Sequence, residues 1–97
     1  MKIVAVTACP TGIAHTYMAA ARLEKVGKHF GHEIKVETQG AMGIENELSQ
    51  ADIDAAEAVI FATDIAIELE ERFERLRKIQ VPVQAALKNP EAIFAKL

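Results

Sequence analysis

Residues 3–16 of the chain read IVAVTACPTGIAHT, and this stretch decides the fold. The apolar, β-branched first part predicts a β-strand from Lys2 to Ala8 that is covered on both faces. The second part, residues 9–16, contains the only cysteine of the protein together with a proline and a glycine. These residues predict a tight turn after the strand, with the thiol of Cys9 at its mouth.

A helix is predicted to follow this turn, from about His15 to Phe30. Its apolar residues recur at spacings of four, three and four, the period of one helical face: Ala19, Leu23, Val26 and Phe30. Gly31 is expected to end the helix. The alternation of apolar and charged residues over residues 33–38 then predicts a half-exposed strand at the edge of the sheet, with Lys35 and Glu37 on its exposed side.

The middle of the chain predicts a loop, a short helix and a buried strand. Residues 39–43 contain two glycines and predict the loop. Ser49 and Asp52 have the spacing of a capping box, which predicts a short helix from about Gln50 to Ala56. The apolar run from Ala58 to Ala62 predicts a second strand that is buried on both faces.

The last third of the chain is predicted to contain two helices and a short strand. An apolar stripe and spaced opposite charges predict a helix from about Ile67 to Arg77. Residues Val81 to Gln84 predict a short strand, and Pro82 within it restricts this strand to a sheet edge. Asn89 and Pro90 are expected to start the last helix, with the asparagine as its cap and the proline at its first position.

Strands that alternate with helices along the whole chain predict an α/β fold. We expect a single open parallel four-stranded sheet of order 2-1-3-4 with helices on both faces, like a Rossmann or flavodoxin sheet. Residues 1–97 are expected to form a single domain. Ligands bind such sheets beyond the carboxyl ends of the strands, where the strand order reverses. The first strand and the cysteine loop lie at that point.

Composition excludes several classes of function. The net charge is −3, so we expect no nucleic acid partner, and the apolar run at the N-terminus is too short for a span, so we expect no direct insertion into a membrane. One cysteine makes no intrachain disulfide, and no Cys/His cluster has metal-site spacing, so we expect a cytosolic protein without a metal or cofactor. We also expect a free-standing monomer that makes transient contacts.

The cysteine loop has the layout of an anion site. Amides in a tight turn and at a helix N-terminus bind anions, and their field favours a thiolate at Cys9, the form that attacks phosphorus. Nucleotide hydrolysis would need a P-loop lysine, and a thioredoxin-like site would need a second cysteine where Gly12 lies. A cysteine phosphatase needs an arginine six residues after the cysteine, where this chain has His15. The loop therefore suits a phosphoryl relay better than a hydrolase.

Several segments together closely resemble one known family. Residues 9–16, the following Tyr17-Met18-Ala19 and the VETQG of residues 36–40 resemble the enzyme IIB component, fructose family, of the bacterial phosphoenolpyruvate-dependent sugar phosphotransferase system. The GIEN of residues 43–46 and the ATDI of residues 62–65 extend this resemblance. It covers roughly residues 1–75, and the chain departs from the family pattern after Phe73.

The resemblance implies a phosphotransferase. Cys9 would be the catalytic residue, phosphorylated by a phosphohistidine of enzyme IIA, and the phosphoryl group would pass to a fructose or fructose-like sugar held by the membrane enzyme IIC. The protein would be cytoplasmic and peripheral to the inner membrane through enzyme IIC. The phosphate loop of the family matches six residues of this chain: Thr11, Gly12, Ile13, Ala14, His15 and Thr16.

Three further residues are candidates for the rim of the site: Gln39, Gly40 and Asp64. Asp64 could instead cap the segment that follows it. Tyr17 and Met18 could form an apolar rim for partner docking or could pack in the interior. Two other functions stay open: a relative of the low-molecular-weight cysteine phosphatases, and an anion-binding regulatory module in which Cys9 is inert.

Overall fold

The computed structural model describes residues 1–9 and 13–97. Within these residues, five strands form one sheet of order β3-β2-β1-β4-β5: β1 (Lys2–Ala8), β2 (Glu33–Gly40), β3 (Gly43–Glu45), β4 (Ala58–Thr63) and β5 (Arg77–Val81). Strand β1 is parallel to β2 and β4, and β4 is parallel to β5, which confirms the predicted α/β fold and the order 2-1-3-4 of its parallel strands. The predicted number of strands was wrong, because β3 adds an antiparallel fifth strand beside β2.

Helices cover both faces of the sheet, as predicted. They are α1 (Ile13–His29), α2 (Gln50–Ala55), a 3-10 helix (Glu70–Phe73), α3 (Val83–Lys88) and α4 (Pro90–Phe94). Helices α1, α3 and α4 pack on one face, which we call the α1 face. Helix α2 and the 3-10 helix pack on the other, the α2 face. No helix in the described ranges combines the length and apolarity needed to cross a bilayer.

Alternate side chains of β1 pack on opposite faces of the sheet, which explains its nearly continuous apolar sequence. Ile3 and Ala5 contribute to the core under α1, whereas Val4 and Val6 contribute to the core under α2. All four residues are at most 3% exposed. A strand in the middle of a sheet that is covered on both faces needs such a sequence.

The half-exposed edge strand predicted over residues 33–38 is only partly confirmed. Lys35 is exposed, but Glu37 is completely buried, so the prediction for its side chain was wrong. Two features that alternation does not reveal cause this burial. The segment around Leu48 and the side chain of Arg72 both bond to the carboxylate of Glu37 and cover it.

The predicted helix from Ile67 to Arg77 was wrong. Only the 3-10 helix forms there, after Leu69 adopts a left-handed backbone with φ of 60°. Residues 77–81 form β5 because Ile79 and Val81 alternate with exposed neighbours and are buried at this period of two. The strand therefore lies four residues earlier than predicted, and Pro82 precedes α3, which was not predicted.

Local signals predicted the helix starts well. Ser49 Oγ accepts a hydrogen bond from Asp52 N at 3.0 Å, and Asp52 Oδ2 accepts one from Ser49 N at 3.1 Å, which confirms the capping box. The hydrogen bond from Lys35, with those from Ser49, lowers the pKa of Asp52 to about 2. Pro90 occupies the start of α4, although the side chain of Asn89 makes no capping hydrogen bond.

Candidate functional site

Cys9 directly follows the central strand β1 at the carboxyl edge of the sheet. Its neighbour Ala8 is paired with Gln39 on β2 and with Thr63 on β4. The Cys9 side chain is 7% exposed and belongs to the core under α1. The predicted phosphate-binding residues Thr11 and Gly12 lie outside the described residues.

Helix α1 begins four residues after Cys9. It has 17 residues, with no acidic residue in its first turn and with Lys28 and His29 in its last turn. Its N-terminus therefore carries the partial positive charge of a helix start, and no acidic residue of the first turn offsets it. Of the predicted phosphate-binding residues in this turn, Ala14 and His15 are exposed, whereas Thr16 is buried. Ile13 is the first residue of the helix.

Buried threonines lie on the α1 face under the start of this helix. Thr7 Oγ1 donates a hydrogen bond to the carbonyl oxygen of Thr16 at 3.0 Å, which joins β1 to α1. Thr38 is paired with Thr7 across the two strands. Its hydroxyl is buried and has no hydrogen-bond partner within the described part of the chain. Thr7 was not predicted as a site residue, although the strand period of two places it on the same face as Cys9.

Gln39 and Gly40, two of the predicted rim residues, occupy opposite faces of β2. A Cβ atom built on Gly40 would lie 3.9 Å from Thr16 Oγ1, so Gly40 lies beside the start of α1. The Gln39 amide instead donates to Glu37 Oε2 at 2.8 Å and to the carbonyl oxygen of Glu68 at 3.0 Å. Gln39 Oε1 accepts from Glu68 N at 2.8 Å. The Gln39 side chain thus binds the segment after β4.

Glu37 is the centre of a buried hydrogen-bond network that sequence analysis missed. Arg72 donates to both carboxylate oxygens of Glu37, at 3.0 and 2.9 Å, and the Leu48 amide donates at 2.9 Å. We call Glu37, Gln39, Arg72 and their bonds to Leu48 and Glu68 the Glu37 clasp. The clasp fastens two segments to the carboxyl end of β2.

Hydrogen bonding decides the charge state of the clasp. Burial raises the pKa of Glu37, but the bonds from Arg72, Gln39 and the Leu48 amide outweigh burial and lower it below its ordinary value. The bond to Glu37 correspondingly raises the pKa of Arg72. The pair is therefore ionised at neutral pH.

Asp64, the third predicted rim residue, lies at the end of β4 beside the cysteine. Its amide donates to the Ala8 carbonyl oxygen at 3.1 Å. Its Oδ1 accepts from Val83 N at 3.1 Å, so the carboxylate caps the later helix α3. Asp64 thus joins the edge of the sheet next to Cys9 to the start of α3.

Comparison with known proteins identifies the family of this chain. The family model described as "PTS system, Lactose/Cellobiose specific IIB subunit" matches residues 4–96. The chain belongs to the IIB family of the phosphotransferase system (PTS). The match runs almost to the C-terminus. It therefore extends beyond roughly residues 1–75, which carry the motifs that resemble enzyme IIB in the sequence.

Relatives of this IIB chain bear fructose-type names. The "PTS system fructose-like EIIB component 2" of Escherichia coli K12 is 51% identical over 96 residues, which span 99% of this chain and 91% of the relative. The "PTS system fructose-specific EIIABC component" of Bacillus subtilis 168 is 50% identical over 95 residues, which span 98% of this chain but 15% of that protein. These relatives confirm the resemblance to enzyme IIB of the fructose family.

A solved structure confirms the fold of this IIB chain. It is a domain of the fructose-specific IIABC component of Borrelia burgdorferi, with a TM-score of 0.92 and 49% sequence identity. The superposition covers 97% of this chain and 89% of that domain.

Exposed apolar side chains surround the cysteine edge of this IIB domain. Tyr17 and Met18 on α1 are 37% and 55% exposed, and Met42 between β2 and β3 is 70% exposed. Ile65 and Leu69 are 44% and 42% exposed on the segment that the clasp holds. The described residues contain no group of three or more His, Cys, Asp or Glu side chains that could hold a metal ion.

Proposed function

We propose that this protein is a phosphoryl relay in the uptake of a fructose or fructose-like sugar. In this proposal Cys9 accepts a phosphoryl group from a phosphohistidine of enzyme IIA and passes it to a sugar bound by enzyme IIC. The fructose-type names of relatives about half identical to this chain favour such a sugar over the lactose or cellobiose of the family description.

One structural observation carries the proposal. A cysteine follows the central strand of an α/β sheet, and the helix that starts four residues later has no acidic residue in its first turn. The partial positive charge of that helix N-terminus stabilises the negatively charged phosphoryl oxygens during transfer. We assign the phosphate cradle to the amides of residues 11–16, and we propose that the exposed side chain of His15 contacts the phosphoryl group.

The relay consists of two displacements at phosphorus. In the first, the Cys9 thiolate attacks, an S–P bond forms, and the P–N bond of the phosphohistidine breaks with its electron pair passing to the imidazole nitrogen. In the second, a sugar hydroxyl oxygen attacks, an O–P bond forms, the S–P bond breaks, and the thiolate returns. The hydroxyl proton leaves to a base or to water. Neither displacement needs a cofactor.

The names of the relatives support a proposal for the partners. The EIIABC relative carries components A, B and C in one chain, so we propose that this IIB domain works between an enzyme IIA donor and an enzyme IIC acceptor. We place the protein in the cytoplasm, at the inner membrane through enzyme IIC. We further propose a single domain that acts as a monomer.

Mass spectrometry of the intact protein tests the relay. We expect incubation with phosphoenolpyruvate, the general transport phosphotransferases and a fructose-type enzyme IIA to add one phosphoryl group. The Cys9→Ser variant should gain none. A gain that survives this substitution, or no gain in the wild-type protein, would refute the assignment.

A second assay separates the relay from its alternatives. We expect negligible turnover of an aryl phosphate, because position 15 holds histidine in place of the arginine that clamps phosphate in cysteine phosphatases. Rapid turnover that requires Cys9 would instead indicate a phosphatase. An inert anion-binding module would show neither activity.

A further inference from the structure

The segment that follows β4 is acidic and partly apolar. Residues 64–71 read DIAIELEE and contain four of the 14 acidic residues of the protein and no basic residue. All four carboxylates, Asp64, Glu68, Glu70 and Glu71, belong to exposed residues. We call residues 64–71 the acidic wall.

Three sets of contacts hold the acidic wall beside the cysteine. At its start, Asp64 N donates to the carbonyl oxygen of Ala8, the residue before Cys9. In its middle, both backbone groups of Glu68 bond to the Gln39 side chain, at 2.8 and 3.0 Å. Just beyond its end, Arg72 binds the buried carboxylate of Glu37. The wall is therefore a preformed surface that starts at the sheet edge beside Cys9 and continues over the α2 face.

A groove along the wall fits a long basic side chain. It has a volume of about 270 Å³ and is lined by apolar Ile65 and Ile67, by acidic Asp64 and Glu70, and by polar Thr63 and Gln80. Lysine and arginine bury an aliphatic stem on apolar surface while their charged ends stay near water and carboxylates. A partner with exposed lysine or arginine thus matches both the shape and the charge of this groove.

We propose that the acidic wall is the docking surface for the cytoplasmic loops of enzyme IIC, an inference that rests on the proposed function. Cytoplasmic loops of membrane proteins carry an excess of lysine and arginine, which complements the wall. The enzyme IIA donor arrives with a negatively charged phosphoryl group of its own, which the wall repels.

Phosphorylation of Cys9 strengthens this preference. A phosphoryl group adds about −1.5 to −2 charges at neutral pH. The loaded protein therefore presents more negative charge at this edge than the unloaded one, and binds a basic surface more tightly. The wall favours docking of the loaded form on enzyme IIC and release of the form that has given up its phosphoryl group.

A pair of variants that change charge equally tests the proposal. Glu70→Gln with Glu71→Gln neutralises two charges of the wall. The control, Glu33→Gln with Glu91→Gln, neutralises two exposed charges at the start of β2 and in the first turn of α4. Thermal unfolding of each variant verifies the fold.

Two half-reactions are measured for each variant: phosphorylation by phosphorylated enzyme IIA in solution, and transfer from the phosphorylated variant to sugar in membrane vesicles that contain enzyme IIC. We expect the wall variant to raise the KM of the second half-reaction about three- to tenfold, with little change in kcat. The increase should shrink at high ionic strength. The KM for enzyme IIA should not rise.

Several outcomes would overturn the proposal. They are an unchanged KM with enzyme IIC, an equal increase in both half-reactions, or the same increase for the control variant. A wild-type protein that accepts no phosphoryl group from enzyme IIA would instead overturn the proposed function, and the first half-reaction alone detects that failure.

Discussion

Replacement of Arg72 by methionine removes the charge partner of a carboxylate in the protein interior. The Glu37 side chain is completely buried, and the Arg72 side chain is 14% exposed. Two parallel hydrogen bonds join the pair, and the guanidinium carbon of Arg72 lies 4.7 Å from the centre of the Phe73 ring. Methionine keeps much of the aliphatic volume, so the substitution mainly tests the charge.

The expected loss of stability follows from this burial. Removing one partner of a buried ion pair costs about 3–5 kcal/mol, because the other charge is left without compensation. Gln39 and the Leu48 amide still donate to Glu37 in the variant, so we expect the lower end, about 3 kcal/mol. For a domain of this size that corresponds to a decrease in Tm of about 15 °C.

Arg75 provides a matched control three residues away. It pairs with Asp54 at 3.4 Å, but the two side chains are 60% and 62% exposed. Exposed pairs contribute about 0–1 kcal/mol, so Arg75→Met should change the stability by no more than this. Urea unfolding followed by far-UV circular dichroism measures both variants, and suits a chain without tryptophan.

The stability difference between wild type and Arg72→Met should depend on pH in a defined direction. In the wild type the pKa of Glu37 is lowered, so its contribution is complete above the unfolded-state pKa and is lost as the pH falls through the folded-state pKa. The Arg72→Met variant loses the hydrogen bonds from Arg72 that lower the pKa of Glu37, while burial still raises it, so this pKa is higher in the variant than in the wild type. The difference should therefore be largest at neutral pH and decrease as the pH falls into the acidic range, because the variant binds a proton at Glu37 before the wild type does.

Two results would refute this account of the clasp. The first is a loss of stability for Arg72→Met no greater than that for Arg75→Met. The second is a stability difference between wild type and Arg72→Met that is the same at neutral and acidic pH. Protonation of Glu37 removes the unpaired buried charge of the variant, so the stability difference must decrease in acid if this account is correct.

Two further substitutions test local contacts. Ser49→Ala removes the N-cap of α2 and should lower the free energy of unfolding, measured in urea, by about 1 kcal/mol. The pKa of Asp52, measured by NMR titration, should rise only part of the way from about 2 towards its ordinary value, because the hydrogen bond from Lys35, the largest cause of the lowered pKa, remains. Thr7→Val removes the buried hydrogen bond to the Thr16 carbonyl oxygen and should cost about 1 kcal/mol. An unchanged unfolding midpoint for either variant would contradict the role given to that contact.

The first half of the fold could be predicted because its signals are local. The period of two in β1 and the period near 3.6 in α1 differ clearly, and a proline and a glycine separate them. Placement of Cys9 at the carboxyl edge follows from the alternation of strands and helices together with the handedness of their connections. Neither inference needs a contact between distant residues.

The region after β4 could not be predicted in this way, because its contacts are long-range. Leu69, Phe73 and Leu76 lie on a helical stripe in the sequence, but Leu69 has a left-handed backbone and its neighbour Glu68 bonds to Gln39, 29 residues earlier. Arg72 is fixed by Glu37, 35 residues earlier. Arg72 and Arg75, which are spaced for pairing within a helix, therefore pair instead with Glu37 on β2 and Asp54 on α2.

The strand period of β2 connects the candidate site to the acidic wall. Val36 packs in the core under α1, so Thr38 points towards the same face, beside Thr7. Glu37 and Gln39 point to the opposite face, where they hold Arg72 and Glu68. A slip of one residue in the pairing of β2 with β1 would exchange the two sets and disrupt both the start of α1 and the wall. The VETQG segment of residues 36–40 therefore has two structural tasks, one on each face of a single strand.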